Sequence, residues 1–166
     1  GDLDGLKESY PRLLRFFDYL KGLRGNNKLL PVENIGIPSV WIDHQAFRQQ
    51  KHKQCAFNLY VSAMCTKALL PLCDAFGDIN KSHEVKDFGD SLLKEVIAAF
   101  WSSDQKVFVD NLPWINENHG QAYYSDRTLA LAVLFDMCPD NDDTECVRLL
   151  SEKDKIGVSY PCNAIW

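Results

Sequence analysis

The run that decides the fold is residues 38–78, P-S-V-W-I-D-H-Q-A-F-R-Q-Q-K-H-K-Q-C-A-F-N-L-Y-V-S-A-M-C-T-K-A-L-L-P-L-C-D-A-F-G-D. It opens as a loop carrying Trp41, Asp43 and His44 and runs on into the most apolar helical pattern of the chain. Between positions 55 and 76 the apolar residues do not keep to one stripe. Phe57, Leu59, Tyr60, Val61, Met64, Leu69, Leu70, Leu72 and Phe76 go most of the way round. A helix that is apolar on nearly every side has protein on nearly every side. Asn58, Ser62 and Thr66, spaced by four, form the one narrow polar stripe. The pattern predicts an inner helix with polar loop residues gathered at its N-terminal end. Pro71 lacks an N–H and clashes with the carbonyl four residues back, so a kink or division is expected near Lys67.

Working toward the N-terminus, residues 10–24 predict an amphipathic helix. Leu13, Phe16, Phe17, Leu20 and Leu23 fall at helical spacing, Ser9 before Pro11 marks a start, and Gly25 marks a stop. A long connection, residues 26–50, leads into the inner helix. Toward the C-terminus, Gly77-Asp78 ends the inner helix, and residues 82–101 predict an outer helix. Its buried stripe is Val85, Phe88, Leu92, Val96 and Phe100; its wet face carries Lys81, Glu84, Lys86, Asp87, Lys94 and Glu95. A second long connection, residues 102–121, includes a short extended piece at 106–110. Residues 124–137 predict a second strongly apolar helix, with Ser125 as its N-cap, and residues 142–152 a short amphipathic one. Residues 153–166 read as a third long connection.

The order is outer, inner, outer, inner, outer, with short inner-to-outer links and long outer-to-inner ones. This predicts a single all-α domain over residues 1–166 built from helical hairpins. No repeat of fixed period marks a regular solenoid. The long connections all precede inner helices and so are expected on one face. They hold Glu33, Trp41, Asp43 and His44; then Phe108, Asp110, Trp114, Glu117 and His119; then Tyr160 and Trp166. Aromatic faces beside carboxylates suit a sugar, whose C–H face stacks on the ring while the carboxylate accepts hydroxyl hydrogen bonds. The same rings equally serve as caps on the ends of the core helices.

Bulk properties narrow the partners. With 166 residues, 46% of them hydrophobic and 25% charged, the chain has enough material for one ordinary core. The net charge of −5 without a Lys/Arg cluster speaks against nucleic acid. No uninterrupted run of about 20 apolar residues is present, so no membrane span is expected. Gly1-Asp2-Leu3-Asp4 shows no signal-peptide pattern. The six cysteines, Cys55, Cys65, Cys73, Cys138, Cys146 and Cys162, form no C-x-x-C pair. They predict free thiols in a reducing compartment, although Cys138 and Cys146 lie close enough in sequence to bridge across a turn. No metal or cofactor site is expected. His44 and His52 lack a third ligand, and Asp140, Asp142 and Asp143 read as favouring the N-terminus of the short helix. Ser125-Asp126-Arg127 is no nucleophile elbow.

The order and spacing of these motifs resemble the catalytic domain of bacterial α-L-rhamnosidases. An outer helix around E-S-Y-P-R-L-L-R-F-F-D-Y-L precedes W-I-D-H, then an inner helix ending A-F-G-D. An outer helix ending A-A-F-W precedes V-F-V-D-N, then S-D-R-T-L-A-L-A-V-L-F-D-M-C-P. The resemblance spans nearly the whole chain. It implies part of an (α/α)6 toroid of six hairpins, acting by inversion on terminal α-L-rhamnosides. It further implies that Trp41, Asp43, His44, Trp114 and Glu117 line one wall of the sugar cleft. His44 stands where the family usually has the tryptophan that packs on the rhamnose ring. The family's general acid lies upstream of the matching region and its general base downstream, so the resemblance implies no catalytic residue within this chain. An open toroid would leave two apolar flanks available for self-association. The alternative is a non-catalytic helical-hairpin module whose loop face binds a protein.

Overall fold

The computed structural model describes residues 3–36, 40, 42, 50–112, 121–152 and 155–156. Its helices are α1 (Leu3–Leu23), α2 (Gln54–Ala63), α3 (Leu70–Ala75), α4 (Ile79–Phe100), α5 (Asp126–Leu134) and α6 (Thr144–Ser151). A 3-10 turn at Gln50–Lys53 leads into α2, and a π-helical segment, Met64–Leu69, joins α2 to α3 without a break. Five helical units result among the described residues, and the class is all-α. Two short antiparallel strands, β1 (Trp101–Ser102) and β2 (Val107–Phe108), pair Trp101 with Phe108 and Ser102 with Val107. They turn the extended piece expected near Lys106 into a hairpin that closes the end of α4.

The α2–α3 unit lies at the centre, with α4 along its length and α5 against its first half; α6 packs on α5. Leu59, Val61, Cys55, Cys65, Leu69 and Cys73 of this unit are buried together with Val85, Phe88, Leu92, Val96 and Phe100 of α4. Those five α4 residues are the stripe read from the sequence. Leu129 and Leu131 of α5 complete the same core, whereas Leu134, expected on the apolar side, is exposed. By length and composition the continuous helix Gln50–Ala75 could cross a membrane. Counting only uninterrupted apolar residues overlooks it. Its packing against α4 and α5 gives the apolar character another cause, that of a core helix.

The interruption expected near Lys67 is the π segment. Pro71, the second residue of α3, has no N–H to offer the Lys67 carbonyl, and the backbone N–H of Leu70 reaches back to the carbonyl of Cys65, a π-type step. The polar stripe beside it is not a wet face. Ser62 is buried and its Oγ donates to the Gly89 carbonyl of α4 at 2.9 Å, while Thr66 Oγ1 donates to the Ser62 carbonyl at 3.0 Å. Here α4 approaches so closely that a Cβ on Gly89 would lie 2.8 Å from Thr66 Cγ2 and 3.0 Å from Cys65 Cβ.

Helix ends follow their chemistry. After α3, Gly77 takes φ +69°, its N–H donating to Asp74 and that of Asp78 to the Cys73 carbonyl, a Schellman closure. Asp78 then caps α4 through Lys81 N. The end of α5 repeats the arrangement with Asp136 at φ +54° in the glycine position. Helix α1 starts seven residues before the expected Tyr10 and carries Pro11 inside it. What ties α1 down lies further along. The Tyr10 hydroxyl donates to Asp78 Oδ2 at 3.1 Å, its ring meets Phe76 edge-on at 5.0 Å, and Phe17 meets Phe88 edge-on at 5.4 Å. Lys21 and Lys81 both pair with Glu84 and hold its carboxyl below the usual range.

Candidate functional site

The five residues assigned to a sugar wall, Trp41, Asp43, His44, Trp114 and Glu117, lie outside the described residues, as do His119, Tyr160 and Trp166. The structure does describe the feet of the first two long connections. The first is pinned where it leaves α1. Asn58 of α2 accepts from Leu30 N at 2.7 Å and donates through Nδ2 to the Leu30 carbonyl at 3.0 Å, and Gln54 Nε2 donates to the same carbonyl at 3.1 Å. A backbone peptide is thereby satisfied by side-chain amides, which is what lets the buried chain run past the helix without a strand partner. On either side of Trp41, Val40 is buried and Ile42 is partly buried against the core. Buried Lys53 donates to the Val40 carbonyl at 3.2 Å.

The second connection is clamped at its neck. Asp110 N donates to the Tyr123 carbonyl at 2.9 Å. Asn111 Nδ2 donates to the Gln121 carbonyl at 2.8 Å, and its Oδ1 accepts from Tyr123 N at 3.1 Å. The described ends of this connection, Asn111 on one side and Gln121 to Tyr123 on the other, are thereby held together. Phe108, expected among the loop side chains, is instead fully buried in β2.

Beneath this neck sits a buried polar cluster at the start of α5: Asp110, Ser125, Arg127 and Thr128. Thr128 Oγ1 donates to Asp110 Oδ1 at 2.5 Å, and Ser125 Oγ lies 3.1 Å from Thr128 Oγ1. Ser125 occupies the N-cap position, as read from the sequence, but its hydroxyl makes this side-chain contact and caps no backbone N–H. Burial pushes the Asp110 carboxyl up to about 6, with the Arg127 charge and the Ser125 and Thr128 hydroxyls pulling it back. The neighbouring Cys55 thiol of α2 is driven well above its ordinary range by burial and by the Asp110 charge. A carboxyl that titrates near neutrality can hold or release a proton under working conditions. Its complete burial makes it a support for what lies above it, able to fix charge and orientation at the loop base.

His52, from the turn before α2, is also buried and meets the Tyr123 ring edge-on at 5.0 Å. This contact joins the end of the first connection to the end of the second. An open pocket of about 280 Å³ is lined by Glu33, Asn34, Lys51 and Gln54 together with Asn27, Pro31 and Val32. Among the described residues no group of three or more His, Cys, Asp or Glu side chains is placed to hold a metal ion.

Sequence reasoning singled out Asp110 and Glu33, weighed His52 as a metal ligand and Arg127 within a nucleophile elbow and set both aside, and gave Tyr123 and Thr128 no role. One signal was present: S-D-R-T is a polar run set directly against the apolar L-A-L-A-V-L of a buried helix. Polar side chains at the first turn of a buried helix must find partners at that end. No protein-family model, curated protein or solved structure matches the chain.

Proposed function

We propose that this chain is part of a glycoside hydrolase resembling the α-L-rhamnosidases and supplies one wall of its sugar cleft. In this reading the helical units are hairpins of an (α/α)6 toroid, and Trp41, Asp43, His44, Trp114 and Glu117 face a terminal α-L-rhamnoside. Inversion needs an acid and a base about 6.5–9.5 Å apart with water between them, and both belong to other parts of the protein. The observation that carries the reading is the His52–Tyr123 contact, which brings the C-terminal ends of two long connections side by side at the starts of α2 and α5. Asp110, Arg127 and Thr128 then form the rigid polar floor on which such loops can present aromatic and carboxylate groups.

The test is Asp43→Ala in an enzyme containing this chain. A charge-assisted hydrogen bond lost from a water-excluded site costs about 1.5–3 kcal/mol, so kcat/KM on an aryl α-L-rhamnoside falls by about tenfold or more. An unchanged kcat/KM overturns the assignment. A second reading, a non-catalytic helical-hairpin interaction module, is favoured by a separate observation. An open apolar groove lies between α1 and the central helix, lined by Leu6, Leu13, Phe16, Met64, Ala68, Leu69 and Leu72.

A further inference from the structure

Of the five cysteines among the described residues, Cys138 and Cys146 are the pair whose sulfurs meet, at 3.8 Å. Both are buried, Cys138 in the turn after α5 and Cys146 in the first turn of α6. Either thiol can donate its hydrogen to the other sulfur. Donation from Cys138 holds the Cys146 thiol below its ordinary range, against its burial and with help from the backbone N–H of Phe108. The same contact holds the Cys138 thiol up. The thiolate is the nucleophile in sulfur oxidation, so the pair combines an attacking sulfur with a second one beside it. The turn that joins them lies at the surface. Asp140 and Asn141 are exposed and stand side by side at φ +56° and +54°, where a Cβ is disfavoured. Helix α6, which follows, has only eight residues, and its N-cap Asp143 makes no side-chain capping bond. A helix this short holds only through its packing, so this corner opens before the core does and admits an oxidant little larger than water.

We propose that Cys138 and Cys146 form a reversible disulfide, a redox-controlled staple that fastens α6 to the end of α5. The oxidant is hydrogen peroxide. The Cys146 thiolate attacks one peroxide oxygen, the O–O bond breaks, and the departing hydroxide takes up the proton that Cys146 released. The Cys138 sulfur then attacks the Cys146 sulfur. The S–O bond breaks, and the oxygen leaves as a second water carrying the Cys138 proton. The two thiols together lose two electrons, and the peroxide is reduced to two waters. A dithiol reductant reopens the bond by exchange. In the reduced chain α6 can unfold by itself from α5 and β2, on which it packs; in the oxidised chain it is tied. The start of α5 carries the Thr128–Asp110 contact, so the staple grips the far end of the helix that bears the buried polar cluster. This inference does not rest on the sugar-cleft reading.

The test treats the fully reduced 166-residue chain with hydrogen peroxide under native conditions, blocks the remaining thiols by alkylation, and maps the product by mass spectrometry after proteolysis. The expected product has lost two hydrogens, carries a Cys138–Cys146 bridge, and returns to the starting mass with dithiothreitol. Amide hydrogen exchange across α6 slows by about tenfold or more on oxidation, and the melting temperature rises by about 5 °C. Cys138→Ala abolishes both the bridge and the slowing; if that variant misfolds, the mapping and the exchange on the unaltered chain decide alone. A bridge between any other two cysteines, oxidation that stops at sulfinic acid, a bridge that forms only once the chain is unfolded in urea, or α6 exchange indifferent to oxidation would each overturn the proposal.

Discussion

His52 and Tyr123 are 71 positions apart in sequence, yet their rings meet edge-on with centroids 5.0 Å apart and an interplanar angle of 64°. Edge-to-face contact places the positive rim of one ring on the negative face of the other. A double-mutant cycle with His52→Ala and Tyr123→Ala is expected to give a coupling of about 0.5–1.5 kcal/mol in urea unfolding. Strict additivity would mean that the two loop feet are neighbours without being coupled.

The close approach of α4 to the π segment makes Gly89 a steric keystone. Gly89→Ala places a methyl within 2.8 Å of Thr66 Cγ2 and 3.0 Å of Cys65 Cβ. Overpacking of this kind costs about 1–3 kcal/mol, outweighing the better helix propensity of alanine, which is worth about 1 kcal/mol. Adding Thr66→Ser, which deletes the Cγ2 methyl and keeps the hydroxyl, should recover part of the loss. Thermal unfolding of the single and double variants reads this directly.

Two helix ends share one geometry with different residues in the left-handed position, Gly77 at φ +69° and Asp136 at φ +54°. Gly77→Ala is expected to destabilise by about 1 kcal/mol, because a Cβ is disfavoured there. Asp136→Gly removes that penalty but also an exposed ion pair with Lys67 at 3.6 Å, worth less than about 1 kcal/mol. A melting temperature unchanged or raised for Asp136→Gly, against a lowered one for Gly77→Ala, is the expected pattern.

Asp110 gives a pH signature of defined sign. Its folded carboxyl is pushed up from 3.8 to about 6, so the folded state binds its proton more tightly than the unfolded state does. That contribution to stability is full below pH 4 and is lost as pH rises through 6, to the extent of about 3 kcal/mol. Glu84, Asp142, Glu145 and Glu152 are held low and act oppositely, losing stability as pH falls through their range. The difference between wild type and Asp110→Asn isolates the buried group, since asparagine retains the acceptor for Thr128. Wild-type stability should fall relative to the variant between pH 4 and pH 7, and parallel pH profiles would contradict the placement of Asp110.

What the sequence by itself determined is whatever depends on periodicity and on local backbone chemistry. Val85, Phe88, Leu92, Val96 and Phe100 fall on one side of any helix, so their burial follows from spacing alone. Pro71 withholds an N–H from the carbonyl four residues back, and Gly77 closes a helix by its freedom at positive φ. The start of α1 was misread because Pro11 after Ser9 is a good start signal locally, yet the helix extends back to Leu3 and carries the proline within. Tertiary structure alone decided the rest. Asn58, Ser62 and Thr66 are a polar stripe in sequence; only the arrival of Leu30 and of Gly89 turns Asn58 and Ser62 into buried, satisfied groups. Asp110 and Thr128 are 18 positions apart, and nothing local says that burial will hold that carboxyl near neutrality. Hydrogen bonding and desolvation depend on which surfaces meet, and distant segments of a chain meet only once it has folded.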